Sequence, residues 1–505
     1  MKNTLTNSQL IQYFVLVLLI GIGMFMVWYA TDWGAGLISD TFQYVASSRS
    51  LVAGKGLSIP YGDRELEPMT KYPPLFSIVL AVFELGGPSG LQSARFLNIF
   101  LFGVNIVLIF ISVQKLTRSY YFSLLAALLF SFSIVLIEVH SWALSEPLYI
   151  CLGLCTFLAL EKYFKELKRI WLILASFLAA CVFLTRYVGL SLIIAITLIL
   201  FFGKLSILRK LIDALLFGFI AVLPAAIWTW RAYLLTRTLN DRLIEFHPLT
   251  KKNYASAIDV VFKWFLPAPL VEGNEKLLLI LSVVLFFGGV IYLLNFDKSH
   301  LLVSANSLFS NRKIIVLHIV YIFTYGLMII VSKTWMDPDI GLSDRILSPM
   351  LVSLLVLFVA SLSFLWDSYE KTRIFVMLVS LGLVTYYIIG TSIGIQRFHE
   401  GGIGIARRGW NRSEVVQALR TYPLYSIYTN SNSSLYLWSD RAGYDIPDFE
   451  SLKEKGTDKK VLLVIFHHVP PSGERLDKLV EGLQLLQEDQ IASIYVFGPK
   501  NERNN

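Results

Sequence analysis

Leu10–Tyr29 reads LIQYFVLVLLIGIGMFMVWY, 20 residues without a charge. At 1.5 Å per residue a helix of that length spans about 30 Å, the hydrocarbon thickness of a bilayer. The segment is longer than a signal-peptide core and has no clear small-residue cleavage site, so it reads as a retained first span. The same ruler finds further spans at Ala94–Val113, Tyr121–Ile137, Pro147–Phe164, Trp171–Thr185, Val188–Phe202, Leu211–Trp230, Leu277–Leu294, Ile314–Ser332, Ile346–Trp366 and Ile374–Ile395. That makes about eleven. Pro74–Leu85 is apolar but too short to cross, and is expected at the interface.

Composition agrees. Of 505 residues 55% are hydrophobic and only 16% charged, with a mean hydropathy of +0.62. Soluble chains run nearer a quarter charged. The expected fold class is an α-helical polytopic membrane protein with a small C-terminal α/β domain. The net charge of +8 does not point to nucleic acid, because much of the excess sits in short loops: Lys115 and Arg118, KYFKELKR at 162–169, Lys204–Lys210, Lys298 with Arg312 and Lys313, and Lys371–Arg373. Lys and Arg collect in cytoplasmic loops, so these clusters put the N-terminus in the cytoplasm. Four segments then fall together outside: Ser39–Pro74, Glu138–Glu146, Arg231–Lys276 and Lys333–Arg345. Residues 1–395 form the membrane domain, with a large first outer loop at 31–92. Residues 396–505 form an extracytoplasmic domain, with strand patterns at Ser426–Thr429, Leu435–Trp438, Val461–Phe466 and Ile491–Phe497 and helix patterns at Ser413–Thr421 and Glu474–Asp489. Cys151, Cys155 and Cys181 lie in apolar spans with no His to complete a metal set, and read as packing residues.

The first outer loop, SDTFQYVASSRSLVAGKGLSIPYGDRELEPMTKYPP at 39–74, is too long and too polar for a connector. Asp40 is either the N-cap of the helix-compatible run that follows or a general base at the membrane surface. Glu146 stands before Pro147 where a span begins; a carboxylate so near hydrocarbon must be paired or functional, or else it is a first-turn acid beside the helix N-terminus. Arg186, in LTRYVG between two spans, needs an anion. Arg345, Arg95 and Lys71 stand at similar boundaries; each alone is an ordinary interfacial cation. Converging beside carboxylates, they suit a lipid phosphate, which guanidinium binds bidentately. His140 alone is weak evidence. Asp337–Pro338–Asp339 matches a metal-binding DxD pattern, but the proline and nearby Gly341 favour a turn; loss of activity in EDTA would reverse that preference.

Several short motifs resemble the GT-C class of bacterial membrane glycosyltransferases, closest to the family 39 group related to protein O-mannosyltransferases and the aminoarabinose lipid A transferase. They are Ser39–Asp40–Thr41 with Tyr44, Leu51–Leu57, Tyr72–Leu75, Ala94–Asn98, Ser145–Leu148, Leu184–Leu190, Asp344–Arg345, and Ile427–Asn430 with Leu435–Tyr436 in the tail. The resemblance implies many transmembrane helices with juxtamembrane helices in the first outer loop. It also implies a polyprenyl-phosphate sugar donor and metal-independent, inverting transfer to a lipid, glycan or protein acceptor at the bacterial inner membrane, with no cofactor. The family's catalytic acid maps onto Asp40. Related enzymes often carry a second acid directly after it; here Thr41 occupies that place, and Glu146 is the substitute. Lys71, Arg186, Arg345 and Arg95 are the expected donor-phosphate contacts, and Tyr44, Tyr72, His140 and Tyr187 the expected substrate contacts. A flippase of lipid-linked sugars, or a polymerase or ligase using a pyrophosphate-linked donor, would share much of this topology. The chain lacks the inverted repeats and broken-helix pairs that point to alternating access.

Overall fold

The computed structural model describes residues 7–63, 65–88, 90–202, 205–237, 244–274, 277, 305–368, 370–422, 425–446, 460–469, 480 and 483–498. The first span is α1 (Asn7–Ala30), and it is followed by the polar loop, folded into α2 (Ser39–Val52), a hairpin of β1 (Ser58–Tyr61) and β2 (Glu65–Pro68), and α3 (Leu75–Glu84). Ile78, Val82 and Leu85 form an exposed apolar stripe along α3, as expected of a helix lying in the interface. The chain then traverses α4 (Leu91–Thr117), α5 (Tyr120–Ser131), α6 (Ile134–Ser141), α7 (Glu146–Glu166), α8 (Arg169–Thr185), α9 (Leu190–Leu200) and α10 (Ile207–Thr236). After α11 (Lys251–Lys263) and α12 (Ala268–Val271) come α13 (Ala305–Trp335), α14 (Asp344–Ser368) and α15 (Arg373–Gly401).

Among the described residues seven helices are long and apolar enough to cross a membrane, or eight if α5 and α6, bent by 55° at their break, are counted together. The expected single span Tyr121–Ile137 is thus two helices. Ser133 makes the break by accepting the Leu136 N–H, and Thr391 from α15 donates to the freed carbonyl of Phe132. Bends in apolar surroundings need such substitutes for lost helical bonds. Helices α8 and α9 are shorter than the ruler. A three-residue turn at Tyr187–Gly189 joins them. A Cβ at Gly189 would lie 2.8 Å from the backbone of Phe183, so only glycine lets the chain fold back this tightly. The expected span Leu277–Leu294 lies, apart from Leu277, outside the described residues.

Alternation of the helices puts the described cations of the short loops, among them Lys115, Arg169 and Arg209, at one end of the bundle. There Asp213 is buried and accepts from Tyr163 (2.6 Å) and Arg169 (3.0 Å), and Lys115 pairs with Glu161 at 3.0 Å. The opposite end carries α2, α3 and the tail.

The last long helix runs to Gly401, past the boundary expected at 395. Beyond it lie α16 (Arg408–Arg412), α17 (Glu414–Ala418), β3 (Ser426–Thr429), α18 (Asn432–Ser439), β4 (Tyr444–Asp445), β5 (Val461–Phe466), β6 (Gln484–Glu488) and β7 (Ala492–Phe497). The strands form one sheet in the order β4-β3-β5-β7-β6, parallel at β4-β3-β5 and antiparallel elsewhere. Every residue of β5 is buried between the two faces. Two expectations fail here. Leu435–Trp438 is helical, not a strand: Ser431 accepts the Ser434 N–H at the start and Asp440 closes the end at φ +58°. Glu474–Asp489 is not one helix either, because Gln484–Glu488 pairs with β7; residues 474–479 lie outside the described residues.

Candidate active site

Helix α2 begins without help from Asp40. Thr41 accepts the Ile38 N–H at 3.2 Å and closes the first turn. Of the two roles expected for Asp40, the N-cap position falls to Ile38, whose N–H is met by Thr41 from the third position of the helix, and the Asp40 carboxylate is left for tertiary contacts. Tyr72 donates to Asp40 Oδ1 at 2.8 Å, and Arg345 Nη1 lies 3.4 Å from Oδ2. Arg345 stands in the first turn of α14, far away in sequence. Its Nε lies 3.7 Å from Glu146 Oε1, which also receives Arg186 Nη1 at 2.7 Å. The result is an alternating chain, Asp40–Arg345–Glu146–Arg186, drawn from α2, α14, α7 and the α8–α9 turn.

Burial grades along this chain. Asp40 and Arg345 side chains are each 26% exposed, Arg186 18% and Glu146 1%. Among the described residues neither oxygen of Glu146 has a hydrogen-bond partner, and Oε1 is met by the two arginines as ion pairs. Burial alone would lower the proton affinity of Arg186, but Glu146, with Tyr44, Tyr325 and Asp40, more than offsets it and holds it raised. Tyr44 is fully buried; burial pushes its phenol well above the ordinary range, so it stays neutral and shares a hydrogen bond with Ser145 Oγ at 3.2 Å. The Tyr44 ring meets Phe76 edge-on at 5.1 Å and Tyr72 at 5.5 Å, fixing the wall beside Asp40.

Lys71 precedes Tyr72 and is exposed. Arg231 near the end of α10 donates to the Met69 carbonyl at 3.0 Å and so ties down the segment after β2 that leads to Lys71. Two expected contacts lie elsewhere. Arg95 donates to Thr31 Oγ1 (2.9 Å) and to the Trp28 carbonyl (3.0 Å); it caps the end of α1, and none of its bonds reaches the cluster. His140 is buried against Phe102 and Phe130. Its Nδ1 donates to the Leu136 carbonyl at 2.7 Å, and Nε2 accepts from Asn105 at 3.0 Å, so it is a packing residue between helices. Tyr187 follows Arg186 and meets Phe183 edge-on at 6.3 Å.

Sequence reasoning assigned no contact to Ser145, Thr41, Arg231 or Tyr325. Tyr325 lies mid-bundle and donates to the Ile346 carbonyl at 2.7 Å, which steadies the turn carrying Arg345. Its visible signal was Tyr321 and Tyr325 at helical spacing on one face of a span. The Asp337–Pro338–Asp339 segment is a turn in which Asp337 accepts the Asp339 N–H at 3.3 Å and Lys333 donates to the carbonyls of Pro338 and Ile340. Among the described residues no three His, Cys, Asp or Glu side chains come together in a metal-binding group.

No family model matches the chain, and no curated protein sequence does. Solved structures do match. ArnT from Cupriavidus metallidurans bound to undecaprenyl phosphate superposes with a TM-score of 0.61 at 11% identity, over 95% of this chain and 97% of that one. The same protein without ligand gives 0.55 at 12%. The archaeal oligosaccharyltransferase AglB from Archaeoglobus fulgidus, in complex with an inhibitory peptide and a dolichol-phosphate, gives 0.50 at 12%, over 90% of this chain and 69% of that one. The chain has the fold of the GT-C membrane glycosyltransferases.

Proposed function

We propose that this chain transfers a sugar from a polyprenyl-phosphate donor to an acceptor at the site end of the bundle, with inversion and with Asp40 as general base. The observation that carries the reading is the alternating cluster Asp40–Arg345–Glu146–Arg186, assembled from four separate segments where the first loop meets the spans. In the transfer, an acceptor hydroxyl or amine attacks the anomeric carbon and gives its proton to Asp40. The bond from that carbon to the phosphate oxygen breaks on the opposite face, and polyprenyl phosphate leaves with the electron pair. Tyr72 orients the base through its 2.8 Å bond. Arg345, Arg186 and Lys71 are the cations available to the leaving phosphate. Glu146 holds the first two in place and is itself too buried to be a second base in this conformation. A placed base is worth roughly 10²–10⁴-fold, and leaving-group charge stabilisation a similar factor.

That the neighbouring folds were solved with undecaprenyl phosphate and dolichol-phosphate supports the class of donor. The positive-inside rule, which favours the cationic far end in the cytoplasm, supports a site and a tail on the outer side. The test is Asp40→Asn: the variant inserts and folds, and loses transfer from a prenyl-phosphate donor. Retained turnover removes Asp40 as base. Parallel assays with monophosphate- and pyrophosphate-linked donors separate this reading from a ligase or polymerase.

A further inference from the structure

A second cationic surface lies away from this cluster, where α1 and α15 leave the bundle. Trp28, in the last turn of α1, is 45% exposed and packs on Phe25 at 5.7 Å, an arrangement suited to the aromatic belt at a membrane interface. Trp33 follows just beyond the helix end. Its Nε1 donates to the His399 carbonyl of α15 at 2.9 Å, and the His399 ring stacks on Tyr29 at 3.9 Å. The chain then turns sharply at Gly402 (φ +74°), where a Cβ would stand 2.7 Å from the Ala406 carbonyl oxygen. That turn brings α16 back over Trp33. Asn411 donates to the carbonyls of Trp33 (3.5 Å) and Ala406 (3.3 Å), fixing the two pieces together.

Arg408 and Arg412, one helical turn apart, each place their guanidinium carbon 5.8 Å from the centre of the Trp33 ring. Arg407 precedes them. All three are exposed, and among the described residues their guanidinium groups make no ion pair and no hydrogen bond. Of the carboxylates near the end of α15, Asp32 lies 3.9 Å from His399 Nδ1 and Glu400 accepts from Gln396 at 2.9 Å. The arginines of the candidate active site are all committed to carboxylates; these are held together by a tryptophan at interface height with their donors free.

We propose that Arg407, Arg408, Arg412 and Trp33 form a binding surface for the headgroup phosphates of anionic phospholipids in the leaflet where α1 and α15 emerge. Guanidinium forks pair bidentately with phosphate, and the indole platform presents two of them side by side. The surface anchors the underside of the tail domain to the bilayer and owes nothing to the glycosyl-transfer reading. The full-length protein in detergent is titrated with phosphatidylglycerol and with phosphatidylcholine of matched acyl chains, read by native mass spectrometry. Phosphatidylglycerol binds more tightly to the wild type, and Arg408→Gln with Arg412→Gln weakens it about thirtyfold, about 2 kcal/mol at roughly 1 kcal/mol per basic side chain. Phosphatidylcholine binding is unchanged. Equal binding of the two lipids by the wild type, or unaltered phosphatidylglycerol binding by the variant, overturns the proposal. Displacement of the lipid by millimolar inorganic phosphate also overturns it, since the surface would then take free phosphate. Should the glutamine pair lower the melting midpoint in detergent alone, Arg407→Gln with Arg408→Gln, which leaves Arg412 on Trp33, is read instead.

Discussion

Glu146 and Asp40 are both carboxylates facing arginine, yet removing their charge has opposite consequences. Glu146→Gln leaves Arg186 buried without its counter-charge, and breaking a buried pair from one side costs about 3–5 kcal/mol. The expected outcome is a lower melting midpoint or loss of the folded protein, read by thermal unfolding in detergent. The double variant Glu146→Gln with Arg186→Gln is expected to recover much of that loss and to remain inactive, because the uncompensated charge is gone but so is the proposed phosphate contact. Asp40 is a quarter exposed and its ion pair with Arg345 is loose at 3.4 Å. Exposed pairs are worth about 0–1 kcal/mol, so Asp40→Asn leaves the midpoint nearly unchanged while transfer falls by roughly 10²–10⁴-fold. A large drop in midpoint for Asp40→Asn would mean that it is structural.

Among elements, the α8–α9 turn carries the most information per residue. Gly189→Ala forces a methyl to within 2.8 Å of the Phe183 backbone. Overpacking of this kind costs about 1–3 kcal/mol, and the turn that opens to relieve it is the one presenting Arg186. Stability and transfer are expected to fall together, unlike the split expected for Asp40→Asn. In the tail, Asp489 joins elements rather than doing chemistry. Burial alone would raise its pKa; the Ser413 hydroxyl at 2.5 Å and the N–H groups of Ile491, Ala492 and Val415 outweigh that and hold it below the usual carboxylate range. A carboxyl depressed in the folded state contributes stability above its unfolded value, near about 3.9, which is lost as pH falls through the folded value. Hydrogen exchange of the β7 amides should therefore accelerate below about pH 4, and Asp489→Asn should flatten that dependence. An unchanged acid profile in the variant would assign the acid lability elsewhere.

Across the whole molecule, the tail and the first loop share a core. Phe42 of α2 packs on Tyr436 of α18 at 5.2 Å, Arg49 pairs with Asp440 at 2.6 Å, and Ser426 donates to Asp63 at 2.6 Å. Backbone joins follow: Gly62 N–H to the Gly443 carbonyl at 3.1 Å, and Ile405 N–H to the Leu37 carbonyl at 3.0 Å. Helix α2, which carries Asp40, is thereby gripped between α3 and the tail. Tyr436→Ala removes an aromatic wall from that grip, a change worth about 3–5 kcal/mol for a fully buried ring. The expected result is faster hydrogen exchange in α2, with kcat reduced more than KM. Exchange confined to the tail would show that α2 stands without it.

Some of this was decided by the sequence alone. Runs of apolar residues as long as a bilayer is thick mark out long helices such as α1 and α4, though not the break between α5 and α6, and the concentration of Asp40, Glu146, Arg186 and Arg345 at boundaries follows from the cost of charge in hydrocarbon. Other features depend on distant partners. Arg95 and His140 are held away from the site by partners on other segments, Thr31 and Trp28 for the one and Asn105 for the other, and Asp40 meets Tyr72 and Arg345 only once distant segments pack. The strand pattern at Leu435–Trp438 gave way to a helix because the Ser431 cap and the apolar face toward α2 outweigh β propensity. Only the packed bundle brings Arg345 within reach of both Asp40 and Glu146, because a charge pattern fixes depth in the membrane but not which faces meet.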